Sequence, residues 1–203
     1  VSADTPLQVL ERGAVELGIP LSPAQIAQVD RYLTELQKWN QRMNLTGSRD
    51  LTELVTKHVL DSLAGLVVLR GLSPGDSVAD LGSGAGFPGI PIKIARPDLE
   101  ITLIEPRQKR AAFLTTACAL LALQGTIVVE ATITGPRLPD DLADRFACVL
   151  ARAVGDPDQT RDLAALLLRP GGQFVMWASQ KQAQIALEWT VHRYRVPYTD
   201  LTH

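Results

Sequence analysis

The chain has 203 residues, 46% hydrophobic and 21% charged, with a formal net charge of −2. That length holds one domain, or one domain with a helical extension, and the near-neutral balance excludes an overall basic footprint, so any nucleic-acid surface must be a local patch. No apolar run approaches the roughly 20 residues that span a bilayer, no signal-peptide pattern opens the chain, and Cys118 and Cys148 have no metal or redox spacing; the expectation is a cytoplasmic protein with buried thiols, no metal and no membrane partner.

Residues 1–71 read as helices. Leu7, Leu10, Ala14 and Leu17 recur at helical spacing, and Gly18 is placed to end that run. Ser22-Pro23-Ala24-Gln25 is a capping box with proline at the first helical position. Ile26, Val29, Leu33, Leu36 and Met43 then form one apolar stripe, with Lys38 and Arg42 beside it. Trp39 falls one turn after Leu36 and reads as core, while Asn40 and Asn44 read as backbone caps at the helix end. Asp50-Leu51-Thr52-Glu53 starts a further helix that Gly71 is expected to close. His58, Asp61 and Ser62 share a face of it, but three side chains on one helix do not form the linear relay of a hydrolase triad, and one histidine beside one aspartate is too few ligands for a metal. His58 is expected to be structural. An amphipathic extension of this size needs a surface to pack on, and the following α/β region supplies it.

From residue 72 the pattern alternates strand and helix: strands at 78–81, 100–105, 126–130, 146–151 and 173–177, with helices at 90–95, from Pro106 to Leu121, and from Asp156-Pro157 to about Leu168. Pro170-Gly171-Gly172 is read as the turn before the fifth strand. Helices of this length between strands imply right-handed crossovers and a parallel sheet covered on both faces, with ligands beyond the carboxyl ends of the strands. Asp80, Glu105, the 131–134 turn and Arg152 then border one crevice.

The stretch 77–89, S-V-A-D-L-G-S-G-A-G-F-P-G, carries the chemistry. Gly82, Gly84 and Gly86 at every second position, between a strand and a helix, let backbone approach a ligand. Gly84 to Gly89 also fits the dinucleotide fingerprint G-x-G-x-x-G, with Glu105 at the spacing of its ribose-binding acid. Asp80 argues against that ligand, because a carboxylate at the mouth of the turn repels a pyrophosphate and attracts a cation. S-adenosylmethionine (AdoMet) offers an ammonium, a sulfonium and no phosphate, so the turn resembles the AdoMet-binding turn of class I methyltransferases. Glu105 can accept hydrogen bonds from two ribose hydroxyls, or else pair with Lys109 one turn later. Arg107, Lys109 and Arg110 form a local basic cluster, either solvated surface or an RNA contact.

Several stretches together resemble one family, the bacterial 16S ribosomal RNA guanine-N7 methyltransferases of the RsmG type (glucose-inhibited division protein B). They are Trp39-Asn40 with Asn44-Leu45-Thr46, His58 with Asp61-Ser62-Leu63, the turn from Asp80 to Gly89, Lys109-Arg110 with Phe113-Leu114, and Arg152-Ala153. The resemblance implies an α/β, Rossmann-like methyltransferase core (72–203) with an N-terminal helical extension (1–71), and methylation of guanine N7 at position 527 of 16S rRNA, with S-adenosylhomocysteine as product. It implies that Gly82 and Phe87 touch AdoMet, Glu105 its ribose and the backbone of Ile133-Thr134 its adenine, with Arg152 completing the site and also facing RNA. The expected cofactor set is therefore Asp80, Gly82, Gly84, Gly86, Phe87, Glu105, Ile133, Thr134 and Arg152, with Asp80 and Arg152 positioning. The expected RNA set is Lys38, Arg42, Arg107, Lys109 and Arg110. The partner is 16S rRNA or the small subunit, with a monomer favoured.

The chain departs from that family in three places. Thr132 and Thr134 stand where the family has arginine and glutamate, leaving adenine recognition to backbone groups. Ala178-Ser179 replaces Lys-Gly after the fifth strand, which removes a cation from the RNA side. The chain stops at His203 after an expected sixth strand (192–197), without the usual seventh. Two rivals follow: a methyltransferase of the same fold acting on another RNA or a small molecule, and a non-catalytic RNA- or AdoMet-binding protein.

Overall fold

The computed structural model describes residues 4–134, 139, 141–152, 155–178, 190, 192 and 194–199. Helices α1 (Pro6–Glu16) and α2 (Pro23–Met43) start alike: Thr5 with Gln8 and Ser22 with Gln25 form reciprocal capping boxes, each followed by proline. The N-terminal N–H groups of both helices thus find side-chain acceptors in place of water. Gly18 (φ +71°) lets the chain leave α1, and Asn44 takes the left-handed conformation at the end of α2. Asp50 accepts the N–H of Glu53 and opens α3 (Leu51–Leu54).

The helix expected from there to Gly71 is not regular. It passes through a π-helical turn (Val55–Leu60), then α4 (Asp61–Ala64), and ends in a 3₁₀ turn (Gly65–Val67). The widened turn inserts one residue without disturbing the apolar stripe, because Leu54, Val55, Val59, Leu60 and Leu63 all remain buried. Gly65 lies flush against the indole of Trp177, where an added Cβ would sit 2.1 Å from Cζ2, so the helix docks directly on the last strand.

Five strands, β1 (Ser77–Leu81), β2 (Glu100–Ile104), β3 (Thr126–Val129), β4 (Phe146–Arg152) and β5 (Leu168–Trp177), form one parallel sheet in the order β3-β2-β1-β4-β5. The crossovers are α5 (Gly89–Ala95), α6 (Gln108–Leu120) and α7 (Pro157–Leu167). Strand order reverses between β1 and β4, which opens a crevice at their carboxyl ends. β5 begins earlier than the predicted 173, and Pro170-Gly171-Gly172 falls inside its span. Phe146 pairs with Leu168 and Cys148 with Gln173, so the intervening residues of β5 loop out as an enlarged bulge, with Gly171 at φ +78°. β2 stops at Ile104, leaving Glu105 just beyond the ladder. Of the predicted sixth strand, residue 193 lies outside the described residues and Arg195 makes an isolated bridge. Ala153 and Ser179 also lie outside them.

Alternate strand residues divide between two apolar clusters. Val78, Ile101, Leu103 and Leu150 join Leu10, Leu33, Leu36, Leu54 and Leu63 of the N-terminal helices; Ala79, Leu81, Ile104 and Val149 join Leu142, Ala164 and Leu167 on the other face. α2 runs antiparallel to α6: Gln28 Nε2 donates to the carbonyl of Leu121 at 3.1 Å, and Trp39 meets Phe113 edge-on at 5.7 Å. The carboxyl end of α2 therefore lies beside the amino end of α6, at the crevice end of the sheet.

Candidate functional site

Beyond β1 the backbone turns through Gly82, Gly84 and Gly86 at φ +75°, +57° and +97°. The N–H groups of Gly82 and Ser83 both donate to the carbonyl of Ile104, tying the turn to the end of β2. A Cβ at Gly84 would meet nothing closer than 3.8 Å, from Arg110 Nη1 and the Gly82 carbonyl. Glycine stands there for its left-handed backbone, and the turn presents bare main chain to the crevice. Gly86 is packed instead, with Tyr32 Oη 3.0 Å from its would-be Cβ. Tyr32, fully buried on α2, donates its hydroxyl to the carbonyl of Ala85 at 2.5 Å and meets Phe87 edge-on at 5.5 Å. An N-terminal helix thus pins the glycine turn. Tyr32 does not stand out in the sequence as a site residue, and its hydroxyl on an otherwise apolar stripe is the one available signal.

Asp80 is fully buried; its Oδ2 accepts the N–H of Gly89 at 3.1 Å, and its Oδ1 has no partner among the described residues. Burial raises its pKa to about 7, opposed by the Gly89 N–H, then by the nearby Ser83 hydroxyl and the charge of Arg152. Glu105, 3% exposed, makes no ion pair with Lys109. Its Oε2 accepts the N–H of Gly84 and its Oε1 that of Arg107, both at 2.9 Å, so the carboxylate clasps the turn to the start of α6. Ile133 is buried in the cluster that holds Leu81 and Ile104, the last residues of β1 and β2, and Thr134 beside it is exposed.

Arg152 ends β4 and turns its guanidinium to the N-terminal helices. Nη2 donates to the carbonyl of Lys57 at 3.0 Å and to His58 Nδ1 at 2.6 Å; Nη1 reaches the His58 carbonyl at 3.4 Å and Asp61 Oδ2 at 3.3 Å. A guanidinium only donates, so Nδ1 of His58 accepts and Nε2 carries the proton toward Thr46 Oγ1 and Ser48 Oγ, at 3.3 and 3.2 Å. Asn40 bonds the backbone of Thr46 from both ends of its amide. His58 stacks on Phe87 at 4.9 Å, and its pKa is lowered to about 4 by burial and then by Arg152. It is a neutral, fully engaged ring, as expected. Ser62 Oγ donates to the His58 carbonyl, not to the ring, so no hydrolase relay forms.

The structure therefore gathers Asp80, the 82–87 turn, Glu105, Ile133 and Arg152 at one end of the sheet. Of the basic residues, Lys38 pairs with Glu35. Arg42, Arg107 and Lys109 are exposed and Arg110 half-buried beside Gly84, and among the described residues these four form no ion pair.

Residues 25–196 match the model of the GidB family, described as rRNA small subunit methyltransferase G. The chain is 38% identical over 196 residues to the ribosomal RNA small subunit methyltransferase G of Sorangium cellulosum, covering 96% of this chain and 82% of that one. It is 43% identical over 170 residues to the same-named protein of Aromatoleum aromaticum, covering 82% and 77%. Among solved structures, the precorrin-6y C5,15-methyltransferase of Geobacter metallireducens superposes with a TM-score of 0.50 at 22% identity, over 63% of this chain and 66% of that one, a likeness of fold.

Proposed function

The chain belongs to the rRNA small subunit methyltransferase G family, and from that membership we propose that it transfers a methyl group from AdoMet to N7 of the guanine at position 527 of 16S rRNA. The observation that carries this reading is the buried Asp80 with an unpartnered oxygen beside an open glycine turn at the switch point of the sheet. A cationic ligand without phosphate fits that carboxylate acceptor, and a pyrophosphate does not. Residues 1–71 form the extension that steadies the turn, and 72–203 the methyltransferase core. Asp80, Gly82, Gly84, Gly86, Phe87, Glu105 and the backbone of Ile133 and Thr134 would hold the cofactor, with Arg152 bordering the crevice.

Bound AdoMet supplies a methyl group made electrophilic by its sulfonium. N7 of guanine has an in-plane lone pair and no proton, so the protein needs no general base. Its task is to exclude water and orient the acceptor, which supplies roughly 7–11 kcal/mol. Neutral His58, with its pKa near 4, has no titration to contribute between pH 6 and 8. The single-turnover rate at saturating substrates should stay flat across that range, with the titration of Asp80 near pH 7 appearing in AdoMet affinity and not in this rate. A tenfold rise per pH unit, abolished by His58→Gln in folded protein, would point to an acceptor atom that carries a proton.

Arg42, Arg107, Lys109 and Arg110, together with Lys38, flank the crevice where α2 ends and α6 begins, and this patch is assigned to RNA phosphates. Affinity for rRNA should fall with salt by about 0.7–0.9 log units per log unit for each phosphate contact. Neutralising Arg107 and Lys109 should flatten that slope and leave AdoMet affinity unchanged; an identical slope would show that they are solvated surface. The activity itself is tested with tritiated AdoMet and small subunits from a strain lacking the modification. Label mapping to that guanine N7 is the expected result, and label on another base would reassign the substrate.

A further inference from the structure

The crevice holds a contradiction in charge. Asp80 Oδ1 is buried without a partner among the described residues, yet a guanidinium ends the neighbouring strand. Asp80 and Tyr32 both feel the positive charge of Arg152. A mobile guanidinium at that place would settle on Asp80, since a charge-assisted hydrogen bond is the stronger kind.

Four acceptors hold it instead, with its Cζ 5.8 Å from the Phe87 ring centroid, and all lie on the helix that carries the π turn: Asp61 Oδ2, His58 Nδ1, and the carbonyls of Lys57 and His58. Asp61 is the only one of the four with a charge. Its side chain is 2% exposed against 17% for Arg152, so the ion pair is little screened. Asp61 is itself fixed from two sides: Tyr194 Oη donates to its Oδ1 at 3.1 Å, and Trp177 Nε1 to its carbonyl at 3.0 Å. The neutral tautomer of His58 completes the arrangement, because a protonated ring would repel the guanidinium it now accepts from.

We propose that Asp61 is a positioning residue for the methyl donor: by holding Arg152 against the N-terminal helix, it prevents the guanidinium from capping Asp80 and leaves that carboxylate's free oxygen to a cationic ligand. The inference rests on the AdoMet reading of the crevice. It gives the N-terminal extension a part in donor binding, separate from any contact with RNA.

A double-mutant cycle read by calorimetry tests it, with AdoMet as titrant at pH 8, where Asp80 is ionised. Asp61→Asn keeps the side chain's size and its hydrogen bond to Tyr194 but removes the charge. It should weaken AdoMet binding about tenfold in the wild-type background and less than twofold in the Asp80→Asn background, because Arg152 then has no carboxylate to cap. A loss equal in both backgrounds would mean that Asp61 acts only on general stability, and would overturn the proposal, as would no loss in either. Where Asp61→Asn loses its helical circular dichroism, Asp61→Glu is the second variant: it keeps the charge and displaces it by one methylene. Its expected loss is about threefold, again abolished by Asp80→Asn; a persistent loss or none overturns the proposal. Wild-type protein that binds no AdoMet takes down the cofactor reading and this inference together, whereas wild-type binding with an unresponsive Asp61 removes this inference alone.

Discussion

Asp80→Asn should make the donor-free protein more stable than wild type at neutral pH while impairing its binding of AdoMet. In the wild-type fold the carboxyl is fully buried, one oxygen lacks a partner among the described residues, and its pKa is raised from 3.8 to about 7. A raised acid pKa means that the native state holds its proton after the unfolded chain has released it. The protonated carboxyl's contribution is therefore whole below about pH 3.8 and is lost as pH rises through about 7. The shift of roughly three pK units corresponds to about 4 kcal/mol. Asparagine avoids the buried charge but leaves an amide N–H unpaired, at about 1–3 kcal/mol, so the net gain at pH 8 is about 1–3 kcal/mol. The change with pH is the sharper measurement. Between pH 5.5 and 7.5, urea unfolding should show the variant gaining about 2 kcal/mol on wild type, at roughly 1.4 kcal/mol per pH unit at the acid end and about half that at pH 7. His58 titrates alike in both proteins and cancels. A stability difference that does not move with pH would show that no charge is buried at this position. The same carboxylate ties donor binding to pH, since AdoMet affinity should fall as acidification protonates Asp80. A fold that tolerates such a group gives up stability for function.

Glu105→Ala should cost roughly 1.5–3 kcal/mol of AdoMet affinity, the worth of hydrogen bonds to a charged acceptor. The structure adds a second consequence. Both oxygens already accept backbone N–H groups, from Gly84 and Arg107, and the side chain is almost wholly buried. Alanine leaves both donors unpaired, so the turn and the start of α6 should also exchange amide hydrogens faster. Glu105→Gln should fall between, because a carboxamide has one acceptor oxygen and must release one of the two donors. Unchanged AdoMet affinity in Glu105→Ala would remove this residue from the site. NADH binding as tightly as AdoMet would overturn the choice of ligand.

What the sequence determined by itself was local or periodic. The capping box at Ser22, the stop at Gly18, the αL cap at Asn44 and the start at Asp50 each depend on side chains within a few residues of the backbone they satisfy. The alternation of strands and helices implied the parallel sheet, and the glycines after β1 marked the crevice, since only main chain without Cβ makes such a turn. The matched family could be recognised from the same short stretches. Only the tertiary structure decided how distant groups share charge and hydrogen bonds. Tyr32 reaches Ala85, and Arg152 reaches His58 and Asp61, across separations of 53 to 94 residues in the chain. Glu105 prefers the N–H groups of Gly84 and Arg107 to the ammonium of Lys109, because it sits buried just past the end of β2 where those backbone donors point. The π turn was hidden for a related reason: one inserted residue leaves the apolar stripe intact. Spacing along the chain reports which face a side chain occupies. Which partner it meets there depends on how the N-terminal helices and the sheet exclude water between them.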